Sequence, residues 1–266
     1  MVRHRRPGAA ARGGQPHAPS RRAARAHCLF TELTQTRHTF RRNVGDVLDL
    51  LLPQRCLVCS LPGGQVCAAC TGSLRRIRLP ACARCGAPAA WPVRRCAECV
   101  GRRLAFARAR AAVEYDAPVR RIVGAWKERG LRGLAAWAAA VVVETLEPPP
   151  GDLLTYVPAD PDRRLRRGHH AAEALAHEVA RSWGISVEPT LARVRGSPRQ
   201  RGLSRTERRR NAATAFAVIG PAPAVVVLVD DVYTTGATAD AAASALRKAG
   251  AREVEIVTFA RTIRMR

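Results

Sequence analysis

Eight of the nine cysteines stand in four Cys-x-x-Cys pairs: Cys56-Cys59, Cys67-Cys70, Cys82-Cys85 and Cys96-Cys99. A stretch this short cannot close a hydrophobic core of its own, so metal or covalent bonds must hold it. One Cys-x-x-Cys turn brings two thiolates near a point, and two turns complete a tetrahedron around zinc with sulfur at ~2.3 Å. Seven residues separate Cys59 from Cys67, and ten separate Cys85 from Cys96. These gaps fit sequential sites, one ion on Cys56, Cys59, Cys67 and Cys70 and a second on Cys82, Cys85, Cys96 and Cys99. Cross-braced pairing is the alternative arrangement, and a disulfide framework is the rival chemistry. The basic N-terminus lacks an apolar segment and a small-residue cleavage site, so no export signal accompanies the cysteines. The expected location is therefore the cytoplasm, where thiols stay reduced and zinc is favoured. With sulfur at all four positions, both ions are structural. Cys28, outside the pattern, reads as an incidental thiol.

Composition divides the rest of the chain. The 266 residues carry a formal charge of +24, from 45 basic and 21 acidic side chains. All but Lys127 and Lys248 of the bases are arginine, and alanine is abundant, as a GC-rich genome would write. No apolar run approaches the ~20 residues of a membrane span, and the 47% hydrophobic content excludes global disorder. Residues 1–42 hold ten arginines against Glu32 alone and show no apolar period, so they read as a disordered arm. Two readings of that arm stay open: a non-specific nucleic-acid-binding tail, or sequence upstream of a true start near Val44. A short helix is expected over Val44–Leu52. Residues 43–103 form the zinc module, and residues 104–266 form the second domain.

In that second domain apolar periods alternate between two and 3.6. Strands are expected at Ala107–Tyr115, Leu153–Val157, Val187–Val194, Ala215–Ile219, Val225–Val229 and Val254–Phe259. Helices are expected at Val119–Arg129, Leu131–Glu147, His170–Trp183 and Ala239–Ala249. Residues 195–211 are polar and basic and read as a long mobile loop or β-arm. The alternation argues for an α/β domain with a parallel sheet.

The chemistry concentrates in VVVLVDDVYTTGAT, Val225 to Thr238. A run of five apolar residues suits a strand buried on both faces. It ends in Asp230 and Asp231, and a Thr- and Gly-rich turn leads into a helix. Ligands of open α/β sheets bind at the carboxyl ends of strands. A helix N-terminus offers free N–H groups to a phosphate. Gly236 permits close backbone approach, and Thr234, Thr235 and Thr238 add hydroxyls around Ala237. The two carboxylates can accept bonds from a ribose 2′,3′-diol or hold Mg²⁺. The bland alternative is an N-cap at Thr238 beside two solvent-facing acids. A nucleoside-triphosphate P-loop is disfavoured, because GxxxxGK[ST] is absent.

This motif resembles the 5-phosphoribosyl 1-pyrophosphate (PRPP) signature of type I phosphoribosyltransferases. From about Val44 onward, the double Cys-x-x-Cys module followed by such a domain resembles the competence protein F (ComF) family. Leu51–Cys59, Tyr115 and Val119–Lys127 resemble that family's opening segment, first strand and first helix. Val157-Pro158, Arg163, Arg164, Arg167 and Gly168 are similar to its loop facing pyrophosphate. Gln200, Leu203, Arg208, Asn211 and Phe216 fit its Q-x-x-L-x(4)-R-x-x-N-x(4)-F arm. One departure stands out: the family's Arg-Gly-Phe-Asn is Arg167-Gly168-His169-His170 here. Two roles are open for this pair, replacement polar contacts or partly exposed histidines at a helix start.

The resemblance implies a type I phosphoribosyltransferase-like parallel sheet flanked by helices, behind a small zinc-ribbon module. It implies Asp230 and Asp231 as the catalytic pair on the ribose diol with Mg²⁺, Thr234–Thr238 on the 5-phosphate, and Arg163, Arg164 and Arg167 on pyrophosphate. The mobile arm would close over the site. The implied setting is DNA uptake during natural transformation, with single-stranded DNA and competence-machinery proteins as partners. Two functions of different class follow: a PRPP-dependent enzyme or sensor, or a non-catalytic accessory protein that binds single-stranded DNA on the same scaffold. The second draws on charge, since Arg163 to Arg210 holds 13 arginines against four glutamates. A third reading makes those arginines a solvated surface enriched by codon bias.

Overall fold

The structure, a computed structural model, describes residues 54–151, 153–160, 168–194, 215–220 and 222–264. The Arg-rich arm with Cys28, the expected helix over Val44–Leu52, Arg163, Arg164, Arg167, Gln200, Leu203, Arg208 and Asn211 lie outside the described residues. From Arg55 onward the chain forms one compact unit.

A five-stranded sheet organises that unit. Its strands are β1 (Arg108–Glu114), β2 (Leu153–Tyr156), β3 (Ser186–Val187), β6 (Val225–Tyr233) and β7 (Glu253–Arg261), in the order β1-β7-β6-β2-β3. All neighbours run parallel. The outer pair β4 (Leu191–Arg193) and β5 (Phe216–Val218) is antiparallel. The helices are α1 (Ala68–Gly72) in the cysteine-rich segment, then α2 (Ala117–Arg129), α3 (Leu134–Thr145), α4 (Ala171–Trp183) and α5 (Ala237–Lys248). No described helix is long and apolar enough to cross a membrane.

Side chains alternate across β6 as the strand period requires. Val227 and Val229 join Trp126, Leu134, Leu154, Leu175 and Phe259 in one buried cluster, beneath α2, α3 and α4. Val226 and Leu228 join Phe106, Leu246 and Ile256 in the other, beneath α5. Cys82, Cys85 and Cys99 belong to this second cluster, so the cysteine-rich segment shares its apolar interior with the sheet. The segment also runs along the free edge of β1. Ile77 N–H donates to Ala112 O at 2.9 Å, Glu114 N–H to Arg75 O at 2.8 Å, and Ala109 N–H to Arg84 O at 2.9 Å. An edge that would otherwise offer unpaired backbone groups is covered.

Three expectations change. The strand expected at Val187–Val194 is divided at Pro189, which has no N–H for a ladder. Its first part, β3, extends the main sheet, and its second part, β4, pairs with β5. Next, β6 does not stop before the acids. β7 runs beside it to the end, pairing Asp230 with Thr258, Val232 with Ala260 and Tyr233 with Arg261. β2 runs out at Tyr156 opposite Val229. The acids therefore lie within a strand that has a neighbour on one side and a notch on the other. Finally, α5 starts at Ala237, capped by Gly236 at φ 74°, a left-handed conformation suited to glycine, and not by Thr238.

Candidate functional site: two cysteine tetrads and a crevice at the sheet's switch point

The eight cysteines sort into two groups, Cys56/Cys59/Cys67/Cys70 and Cys82/Cys85/Cys96/Cys99, with the sulfurs of each group within 4.8 Å of one another. This is the sequential arrangement. A tetrahedron with ~2.3 Å Zn–S bonds puts its sulfurs about 3.8 Å apart. Cys59 and Cys67 Sγ lie 3.7 Å apart, and Cys85 and Cys96 Sγ 3.5 Å, both far beyond a disulfide bond. All eight thiols are free. Backbone N–H groups point at the sulfurs: Val58 and Cys67 donate to Cys56 Sγ at 3.4 Å, and Cys96 donates to Cys82 Sγ at 3.2 Å. Burial raises the Cys56 thiol, but the backbone N–H groups of Cys59, Cys67 and Val58 outweigh it and bring it down to about 6. Such a donor set fits zinc, with no position left for a substrate.

The second feature is the notch beside β6. Chain order runs outward from β2 to β3 on one side and from β6 to β7 on the other, so the β2/β6 boundary is the switch point of the sheet. A cavity of about 270 Å³ opens there, lined by Lys127, Asp160, His169, His170, Arg193, Asp230, Asp231 and Thr238 among others. Asp230 and Asp231 face this space, not the core. Asp231 is 8% exposed and accepts from Lys127 Nζ at 2.7 Å. The lysine comes from the last turn of α2, whose start is fixed by Asp116 accepting from Val119 N–H at 3.1 Å and whose end by Gly130 at φ 66°. Asp230 Oδ1 accepts from Asp231 N–H at 2.9 Å. Removal from bulk water, then the charge of Asp231, raises the Asp230 carboxyl to about 7, and Lys127 and Arg193 only partly oppose this.

The turn after β6 sits beside the crevice. Thr238 lines it, Thr234, Thr235 and Ala237 are exposed, and Gly236 is buried. Thr235 Oγ1 accepts from Ala237 N–H at 3.3 Å. The need for glycine here is local as well as conformational, since a Cβ at Gly236 would collide with the Tyr233 side chain. Gly168 is exposed and left-handed, at φ 64°. Both histidines line the crevice and are tied to the fold. His169 Nε2–H donates to the Trp126 carbonyl at 2.6 Å. His170 stands edge-on to Tyr156, with centroids 5.8 Å apart, and its Nδ1 lies 3.6 Å from Glu173 Oε2. Tyr156 Oη donates to Glu173 Oε1 at 3.0 Å.

Asp160 and Arg193 were not legible as site residues in the sequence. Arg193 reads as one arginine among many, and only the β4–β5 pairing carries it to the crevice. Its guanidinium lies over the Phe216 ring, 5.3 Å from the centroid.

Comparison with known proteins follows the same division. The double zinc ribbon domain matches residues 47–100, and the phosphoribosyl transferase domain matches residues 165–264. A DNA utilization protein (YhgH) of Salmonella typhi is 30% identical over 227 residues, covering 80% of this chain and 100% of that protein. Competence protein F of Haemophilus influenzae is 27% identical over 205 residues, 72% of this chain and 90% of that one. Competence protein ComFC of Streptococcus pneumoniae is 30% identical over 106 residues, 40% of this chain and 46% of that one. Two cysteine tetrads, an all-parallel sheet with twin acids at its switch point, and a 30%-identical relative matched along its whole length place this chain in the competence protein F (ComF) family.

Proposed function

We propose that the crevice binds PRPP or a related phosphoribosyl ligand together with Mg²⁺, in the service of DNA utilization or competence. The observation that carries this is the placement of Asp230, Asp231 and Thr238 around one notch at the start of α5. Two adjacent carboxylates lining one crevice can accept from a ribose diol, and the α5 N-terminus suits the 5-phosphate. Lys127 and Arg193 supply cations to the same space, with Arg163, Arg164 and Arg167 assigned to pyrophosphate and the arm of Gln200, Arg208 and Asn211 to closure. The acid pair fits Mg²⁺, a hard cation that prefers carboxylate and phosphate oxygens. Bound there, the ion would offset charge on a departing pyrophosphate. Lys127 then has a defined part: it holds the Asp231 carboxylate in place before ligand arrives.

The raised pKa of Asp230 has a consequence for stability. An unfolded aspartate titrates near 3.9, whereas the folded one titrates at about 7. Between these values the folded chain keeps a proton that the unfolded chain has lost, so this contribution is complete below pH 4 and disappears as pH rises through 7. Asp230→Asn is therefore expected to raise the melting temperature of the ligand-free protein by several degrees at pH 8 and scarcely at pH 4.5. Scanning calorimetry at the two pH values checks this, and a variant less stable than wild type at pH 8 contradicts it.

DNA binding is the second reading, supported by the arginine excess of residues 163–210 and by the names of the relatives. Aromatic residues make up only 5% of the chain, which favours phosphate contacts over base stacking. Single-stranded DNA affinity is then expected to fall steeply, by about 10³-fold or more between 50 and 200 mM salt if six or more phosphates are neutralised. Fluorescence anisotropy reads this directly. Binding that is lost on deleting residues 1–42 alone would assign it to the arm.

A further inference from the structure

Arg261, the last residue of β7, is only 1% exposed. A guanidinium taken out of water must be paired, and this one is held by three groups. Nη1 donates to the carbonyl of Cys85. Nη2 donates to Glu98 Oε2 at 3.1 Å. The charged plane lies over the Tyr233 ring, 4.9 Å from its centroid. Cys85 is a member of the second tetrad, and Glu98 lies between its members Cys96 and Cys99. Tyr233 faces Arg261 across the β6–β7 ladder and fills the space against Gly236. The result is a continuous buried stack from cysteine tetrad to guanidinium to ring to Gly236. Two contacts brace it. Phe106 meets Tyr233 edge-on at 6.3 Å, and Ala105 N–H donates to Asp240 Oδ1 at 2.7 Å in the first turn of α5.

Neither Arg261 nor Tyr233 lines the crevice. Both lie behind the turn that is to receive the phosphate. We propose that Arg261 and Tyr233 are positioning residues that fix the Thr234–Thr238 turn for the ligand's 5-phosphate, with the second cysteine tetrad as their anchor. This rests on the phosphoribosyl reading of the crevice. Convergent N–H donors must be held within about 0.5 Å of their productive geometry, and a glycine-capped turn has little stiffness of its own. The ring beneath Gly236 and the guanidinium beneath the ring supply that stiffness.

Two probes separate turn placement from general damage. Ribose 5-phosphate needs the turn, whereas Mg²⁺-pyrophosphate needs the acids and cations of the crevice. Isothermal titration of the full chain is expected to show Arg261→Met weakening ribose 5-phosphate by about tenfold or more, with Mg²⁺-pyrophosphate affinity within about twofold of wild type. Tyr233→Phe keeps the ring and stays within about threefold of wild type for ribose 5-phosphate, whereas Tyr233→Leu falls with Arg261→Met. Equal weakening of both probes, or wild-type ribose 5-phosphate affinity in Arg261→Met and Tyr233→Leu, overturns the proposal. If Arg261→Met does not fold, the two Tyr233 variants decide it. A wild-type chain that binds neither probe overturns the phosphoribosyl reading and this proposal with it. A wild type that binds both, beside variants that match it, removes the positioning role alone.

Discussion

The double variant Asp230→Asn/Asp231→Asn is expected to abolish the stabilisation that Mg²⁺-PRPP gives the wild-type protein. At a hundredfold excess over Kd a one-site ligand contributes about 2.7 kcal/mol. For a chain of this size that is roughly 5–10 °C in melting temperature. The double substitution removes both formal charges while leaving side chains of nearly the same shape. The notch between β2 and β6 therefore survives, and what is lost is the negative charge that holds a cation and strengthens the hydrogen bonds accepted from two hydroxyls. Lys127 loses its anionic partner as well, so its charge is left to repel Mg²⁺. Thermal scans with and without millimolar ligand read the effect. A wild type unmoved by ligand would defeat the proposed function, and a double variant that shifts as far as wild type would move the site away from these acids. The Asp230→Asn change that stabilises the ligand-free fold at pH 8 is thus half of the double variant that removes the ligand response, because the crevice holds a carboxylate where folding alone would prefer an amide.

Stripping zinc should have an equally large effect, on the fold itself. Cys82, Cys85 and Cys99 are at most 3% exposed and pack with Phe106, Leu228 and Ile256. Without metal, four thiols face one another in the interior with nothing to bind them. Apparent zinc affinities in small Cys/His modules correspond to about 10–16 kcal/mol, which matches or exceeds the whole stability of a typical domain. Metal analysis should find close to two zinc ions per chain, one for each tetrad. A strong chelator is expected to lower the melting temperature by more than roughly 15 °C or to remove the cooperative transition. Cys99→Ser, at a fully buried sulfur, should cost more than Cys59→Ser at an exposed one. A chelated protein that melts like the native one would contradict structural zinc.

Much of this fold is written locally. The cysteine spacings indicate sequential tetrads because short gaps favour closing nearby loops. The run Val225–Val229 announces a doubly buried strand, and the acids followed by Thr-Thr-Gly-Ala-Thr announce the turn into the next helix. What stayed hidden depends on distant partners. Nothing near Asp230 reveals that β7 continues beside it, so the strand seemed to end four residues early. The last expected strand stops at Phe259, short of Arg261, and only the tetrad and Tyr233 explain how a strand can end in a buried guanidinium. Lys127 could be placed on a helix from its neighbours, but its reach to Asp231 required the α2–β6 packing. Pro189 was visible in the sequence, yet apolar residues on both sides masked its effect.

The position of β1 bears on how the chain is made. This strand leaves the ribosome directly behind the ribbons, yet its only partner within the main sheet is β7, the most distant in sequence. Metal capture can begin on the nascent polypeptide, but the sheet cannot close until β7 has been made. Until then the second ribbon has neither Arg261 nor the apolar surface it finally rests on. Long-range pairing of this kind is slow, so the second ribbon waits on β7 for the surface it packs against.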